Sequence, residues 1–252
     1  MSTVDFSFAS LRPYQATTSH CSPWLTPIAY FLGEKVVLPT YFRDIQVRGQ
    51  SNIPPSGPVI LAPTHRARWD SIVLPLVAGR SVTRRDLHFM VTSDEVKGIQ
   101  GWFIRRLGGF AINVRSPSIS SLRHGIELLQ QGEMMVIFPE GGIFRDHQIH
   151  RLKPGLARLA IQAEFQSTPR LGIRILPVSI RYSSPFARWR SSVEIIIGQP
   201  LEVSSYLSRN QGQPPMSECL KRKARRLTED LNDALVAISQ PKNFAPVQPI
   251  KF

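Results

Sequence analysis

Cysteine is almost missing from this chain: Cys21 and Cys219 are the two in 252 residues. They lie near opposite ends without paired spacing. That excludes a disulfide framework and a zinc site of the CxxC kind, and it fits a reducing compartment. No stretch approaches the roughly 18 uncharged apolar residues that a spanning helix requires, so any encounter with a membrane is expected along its surface. The opening "MSTVDFSFASLRPY" has no basic start followed by an apolar run, and no cleaved secretory signal is expected from it. Acidic residues are scarce, 18 Asp and Glu against 31 Lys and Arg, for a formal net charge of +13. Such a field draws anions, whether nucleic acid, phosphorylated metabolites, acidic carrier proteins or anionic lipid, without choosing among them. Also absent are GxSxG, HExxH, GxxxxGK[ST] and GxGxxG, which argues against a serine hydrolase, a zincin and a P-loop enzyme.

What is present is an apolar share of 42%, ordinary for a globular chain. Residues 1 to about 21 are polar and unpatterned and read as a loose tail. Residues 22–42 read as an amphipathic helix in which Thr26 suits the cap and Pro27 the first turn, with Ile28, Phe31, Leu32 and Val36 on one face. Packing of that face on the core is the simpler reading. The alternative lays the helix at a lipid interface, with Trp24, Tyr30, Phe31, Tyr41 and Phe42 near the headgroups. Beyond Gly49, strand and helix alternate: strands at 58–64, 87–91, 110–114, 134–138, 172–182 and 192–198, helices at 69–79, 116–132 and 153–164. This implies an α/β fold with a mixed, largely parallel sheet flanked by helices, and one domain over 43–240. A last helix carries Leu220, Ala224, Leu227, Leu231, Leu235 and Ile238 as a stripe. Lys221, Arg222, Arg225 and Arg226 fall mainly off it, as a solvated basic face rather than a lipid contact.

Chemistry-bearing residues concentrate where strands end. In "THRARWD" (64–70), His65 follows a strand and Asp70 begins a helix. A carboxylate there fixes the imidazole tautomer and leaves a base able to deprotonate an alcohol. Such a pair also arises readily by chance, as a surface histidine and a capping aspartate. In "FPEGGIFRD" (138–146), Glu140, Gly141 and Gly142 with Arg145 suit a turn that shapes a polar pocket and holds an anion. Arg151 and Lys153 follow before a helix, and Arg105, Arg106 and Arg115 flank "LGGFAINVR". Guanidinium groups suit phosphate bidentately.

Taken in order, "HRARWD", "GGFAINVR", "FPEGGIFR" and "ILPVSI" resemble the four sequence blocks of the glycerolipid acyltransferases, the lysophosphatidic acid acyltransferase family, over about residues 40–200. The resemblance implies a glycerol-3-phosphate acyltransferase-like fold and transfer of an acyl chain from a thioester to a glycerol hydroxyl. It makes His65 the base, Asp70 its orienting partner, and Glu140 and Gly141, with Gly142, part of the acceptor pocket. Pro177 falls in the fourth block, and Arg115, Arg145 and Lys153 are candidates for the acceptor phosphate. Acyl-CoA or acyl-carrier protein would be co-substrate, with no metal and no cofactor. The implied partners are a lysophospholipid acceptor and an anionic membrane surface at the cytoplasmic face. Two departures stand out. Ile143 occupies the position where the third block usually has arginine, and Val114 separates Asn113 from Arg115. Another lysophospholipid or glycerol 3-phosphate is the rival acceptor, and hydrolysis of the thioester a rival reaction. A non-catalytic module binding anionic lipid or nucleic acid is the rival of another class. No nucleic-acid motif is present, and the aromatics cluster near apolar segments rather than basic ones.

Overall fold

The computed structural model describes residues 19–113, 118–207 and 216–240. Among the described residues, eight strands form one sheet: β1 (Asp44–Arg48), β2 (Val59–Pro63), β3 (Leu87–Thr92), β4 (Gly109–Ile112), β5 (Met134–Val136), β6 (Arg174–Tyr182), β7 (Ser192–Ile197) and β8 (Leu201–Glu202). Their spatial order is β1-β7-β6-β2-β5-β3-β4, with β8 beside β6. The neighbours β1 and β7, β6 and β2, β2 and β5, β5 and β3, and β3 and β4 run parallel. β6 runs antiparallel to β7 and to β8. The mixed, largely parallel α/β sheet expected from the sequence is the observed one.

β2 shows why the middle of the sheet reads as an unbroken apolar run. All five of its residues are buried, because both faces are covered. Alternation sends Val59 and Leu61 into one core and Ile60 and Ala62 into the other. The first core lies under α2 (Leu38–Tyr41) and α3 (Asp70–Ala78), with Leu38, Val73 and Leu74 fully buried, while α1 (Leu25–Leu32) and α4 (Arg80–Thr83) contribute no side chain to it. The second lies under α6 (Ile119–Gln130), α7 (Gly155–Gln166) and α8 (Met216–Ser239), where Leu129, Ala160, Leu227 and Leu235 are fully buried. Between β3 and β4 runs α5 (Gly98–Arg106). Ser118 caps α6 by accepting from the Ser121 N–H at 3.2 Å. The helix expected over 116–132 therefore begins at Ile119, and residues 116–117 and Val114 lie outside the described residues. On α8 the basic residues Lys221, Arg222, Arg225 and Arg226 are exposed beside the buried stripe, as expected.

The N-terminal segment departs from its simpler reading. Residues 25–41 are helical throughout, α1 and α2 being joined by a π-turn at Gly33–Val37. Thr26 does not cap α1. Trp24 holds that position, and Thr26 is buried in the first turn with its hydroxyl donating to the Arg106 carbonyl at 3.4 Å. The face of Ile28, Phe31, Leu32 and Val36 points away from the core and is exposed, while Thr26 and Leu38 make the inward contacts. Phe42 is buried against Trp69 and Tyr182, and the Tyr41 hydroxyl donates to the Ala187 carbonyl, so neither is free to face lipid. The last residues of the expected tail are held too: His20 N–H donates to Arg105, and Cys21 forms an antiparallel bridge with Leu107. Residues 1–18 lie outside the described residues.

Candidate active site

The site begins where β2 runs out. The Thr64 hydroxyl accepts from the Ile180 N–H at 2.9 Å while the Thr64 N–H donates to Val178, which ties the departing chain to β6. His65 is the next residue. Its ring stacks on Phe138 with centroids 3.9 Å apart, and its Nδ1 lies 2.8 Å from Oδ2 of Asp70. Asp70 opens α3 and is fully buried, at 0% exposure. The same Oδ2 accepts from the backbone N–H groups of Arg66 at 2.7 Å and Ala67 at 3.0 Å, while Oδ1 accepts from the Tyr182 hydroxyl at 2.7 Å. Burial and the Asp70 carboxylate both push the Tyr182 phenol upward, so it stays a donor. With the Arg66 and Ala67 N–H groups and the Tyr182 hydroxyl donating to its oxygens, Asp70 takes the proton-bearing Nδ1 of His65 and leaves Nε2 as the acceptor.

A second buried ion pair locks the loop that carries the third sequence block. Glu140 is 3% exposed. It accepts from the N–H of His65 and of His150, each at 3.0 Å, and from Arg66 Nη1 at 3.0 and 3.2 Å. Arg66 also donates to the carbonyls of Phe144 and Gln148, and the Phe144 N–H donates back to the His65 carbonyl. Glu140 thus holds two loops together from behind. Its oxygens are engaged there, and Glu140 stands behind the residues that line the cavity rather than among them.

His65, Gly141, Gly142 and Lys153 share the wall of a cavity of about 1070 Å³ that runs between α1, α3, β3 and α5. Most of its lining is apolar, with Ala29, Leu38, Leu76, Phe89 and Ile104 among the contributors. Gly141 is left-handed, at φ +68, and a Cβ there would lie 2.7 Å from Lys153 Cε and Nζ. The left-handed turn calls for glycine, while the flexible Lys153 tail could move aside from a Cβ. Lys153, Arg68 and Arg158 bring positive charge to the cavity. Arg145 does not reach it, lying over the Phe186 ring at 5.3 Å, and Ile143 is at the wall instead. Arg115 lies outside the described residues. Tyr182, Arg66, Phe138, Arg68 and Arg158 have no role that the sequence alone gives them. Among the described residues, no three His, Cys, Asp or Glu side chains group as metal ligands, and no helix is long and apolar enough to cross a membrane.

Fold and site together define an α/β domain that presents a carboxylate-oriented imidazole to a large apolar cavity. The chain belongs to the Acyltransferase family, which matches residues 44–181, more than half of its length. It is similar to the 1-acyl-sn-glycerol-3-phosphate acyltransferase of Streptococcus pneumoniae, with 26% identity over 68% of this chain and 61% of that protein. The protein of the same name from Bacillus subtilis is 24% identical over 75% of this chain and 90% of its own length. In structure the chain resembles PlsC, the 1-acyl-sn-glycerophosphate (LPA) acyltransferase of Thermotoga maritima, at a TM-score of 0.54 and 20% identity. That likeness covers 83% of this chain and 79% of the other.

Proposed function

We propose that this acyltransferase moves a fatty acyl chain from an acyl-CoA or acyl-carrier-protein thioester to the free hydroxyl of 1-acyl-glycerol 3-phosphate, giving phosphatidic acid. The observation that carries the reading is the His65–Asp70 pair, 2.8 Å apart, with the His65 ring at the wall of the apolar cavity. Nε2 takes the hydroxyl proton as the oxygen attacks the thioester carbonyl. The tetrahedral intermediate collapses, the C–S bond breaks, and the departing thiolate collects the proton from His65. Asp70 steadies the imidazolium between those steps without itself being protonated. The cavity takes acyl chain, and Lys153, with Arg68 and Arg158, faces the acceptor phosphate in place of the arginine that Ile143 replaces. Arg115 and Arg145 remain candidates for the same phosphate from further out. The relatives named for this reaction support the choice of acceptor.

The reading includes a place for the protein. The exposed α1 face of Trp24, Ile28, Phe31 and Leu32 lies on an anionic bilayer, and the net charge of +13 favours that surface. A chain with two cysteines, neither in a disulfide, suits the cytoplasmic side. The deciding experiment offers labelled palmitoyl or oleoyl thioester, on CoA and on carrier protein, to lysophosphatidic acid, glycerol 3-phosphate and other lysophospholipids. Phosphatidic acid is expected from the wild type, and a rate lower by roughly a hundredfold or more from His65→Ala. Product from another acceptor alone would replace the lysophosphatidic acid assignment. Free fatty acid without any acceptor would make the protein a thioesterase, and an undiminished rate in the variant would end the histidine mechanism.

A further inference from the structure

The loop 183–191 between β6 and β7 carries two large aromatic side chains that the site does not use. Phe186 is 62% exposed and Trp189 is 66% exposed. Each is overlaid by arginine: Arg188 lies 5.9 Å and Arg145 5.3 Å from the Phe186 ring, and Arg190 lies 5.7 Å from the Trp189 ring. The loop sequence "SSPFARWRS" holds no acidic residue.

The loop is built to hold these side chains outward. Ala187 and Arg190 are left-handed, at φ +46 and +60, and Ala187 is fully buried between the two exposed aromatics. Its carbonyl accepts from the Tyr41 hydroxyl at 2.9 Å. The Trp189 Nε1–H donates to the Thr40 carbonyl at 3.0 Å and the Arg190 N–H to the Tyr41 carbonyl at 2.6 Å. The loop is therefore fastened to the C-terminal end of α2, so the outward apolar side chains of the helical segment and of the loop belong to one rigid body. Arg145, three residues beyond Gly142, ties the same loop to the segment that walls the catalytic cavity.

Exposed tryptophan and phenylalanine carrying guanidinium groups, with no carboxylate in the loop, match the zone of a bilayer where acyl chains meet anionic headgroups. We propose that this loop is a second membrane-docking element: Phe186 and Trp189 enter the headgroup boundary, and Arg188 and Arg190 meet lipid phosphates. The proposal rests on the reading that the α1 face lies on a bilayer. With two separated points of contact the protein cannot roll about the helix axis, which keeps the catalytic cavity in a fixed attitude to the surface.

The test is sedimentation of the full chain with sucrose-loaded vesicles, either pure phosphatidylcholine or equal parts phosphatidylcholine and phosphatidylglycerol. Phe186→Ser/Trp189→Ser is expected to weaken partitioning onto the anionic vesicles roughly tenfold or more. Arg188→Ser/Arg190→Ser is expected to weaken it on those vesicles and not on the neutral ones. Acyl transfer in detergent micelles should stay within about twofold of wild type for both. If Phe186→Ser/Trp189→Ser partitions like wild type while Phe31→Ser/Leu32→Ser loses binding, the loop proposal is overturned and the α1 reading stands. That is also the result expected if the loop served a protein partner or a second copy of the chain. If the wild type binds neither vesicle, both readings fall.

Discussion

Asp70 sits at the centre of four hydrogen bonds, and each limits what may replace it. Asparagine keeps the shape and still accepts from the Arg66 and Ala67 N–H groups, but it cannot stabilise an imidazolium. Asp70→Asn is expected to lower kcat on the order of 10³-fold with little change in fold, read by steady-state acyl transfer alongside a thermal melt. Tyr182→Phe removes one donor of the four. The expected loss is roughly tenfold in kcat, with KM for the acceptor unchanged and about 1 kcal/mol of stability. A change confined to KM would show that Tyr182 meets the acceptor instead of orienting Asp70. Glu140→Gln strands the buried Arg66 guanidinium, whose side chain is 6% exposed against 0% for Glu140. Breaking such a pair from one side costs about 3–5 kcal/mol, so a fall in Tm of roughly 10 °C is expected, with activity lost through the loop rather than through substrate binding. The His65–Asp70 pair was legible because its members lie five residues apart at the junction of a strand and a helix. Tyr182 is 112 residues from Asp70, and Glu140 is 74 from Arg66. No local pattern announces either, since the parallel sheet alone brings β6 and the third block beside β2.

At the level of elements, legibility followed burial. β2, β5 and β6 are covered on both faces and spell continuous apolar runs, so they stood out. β1, "DIQVR", is an edge strand with Ile45 alone fully buried, and its mixed polarity hid it. α5, "GIQGWFIRR", begins on a left-handed glycine and leaves Ile99, Trp102 and Phe103 exposed, so it has neither the propensity nor the clean stripe of α8. Charge on elements also sets a pH dependence. His88 on β3 and His124 on α6 are both pushed below the usual histidine range, by burial above all. The Ser19 N–H donates to His124 Nε2 at 3.2 Å, a bond that only the neutral ring accepts. The unfolded chain therefore binds more protons than the folded one below the ordinary value of 6.5, so stability falls as pH falls through that region. Glu133, raised from 4.5 chiefly by burial, contributes with the opposite sign above that value, one group against two. The Tm is expected to drop between about pH 7.5 and about pH 5.5. His124→Gln, which keeps an acceptor for Ser19 without titrating, should make the slope shallower. An equal slope in the variant would remove His124 from the account.

For the molecule as a whole, the helical segment at residues 25–41 has two jobs on two sides. Outward it shows Ile28, Phe31 and Leu32 to solvent, with Trp24 exposed at its N-cap. Inward, Ala29, Tyr30, Gly33 and Leu38 wall the cavity that reaches His65. A cavity sharing a wall with the exposed apolar face is well placed to take a chain that starts in a bilayer, and its depth should then decide which chains react. Gly33 offers a way to shorten it without breaking the fold. Its backbone is helical, at φ −57, and a Cβ built there meets nothing within 4 Å. Gly33→Leu therefore adds a side chain at the cavity wall whose Cβ meets no neighbour, and removing a glycine from a helical position favours the folded state by roughly 0.4–1 kcal/mol. The expected outcome is a Tm equal to or above wild type, with transfer from an oleoyl thioester slowed about tenfold relative to a lauroyl one in direct competition, a difference of about 1.4 kcal/mol. If both chains slow equally, the leucine blocks access and the cavity is an entrance. If neither slows, the acyl chain lies elsewhere, and the outward face of α1 becomes the surface on which to look for it.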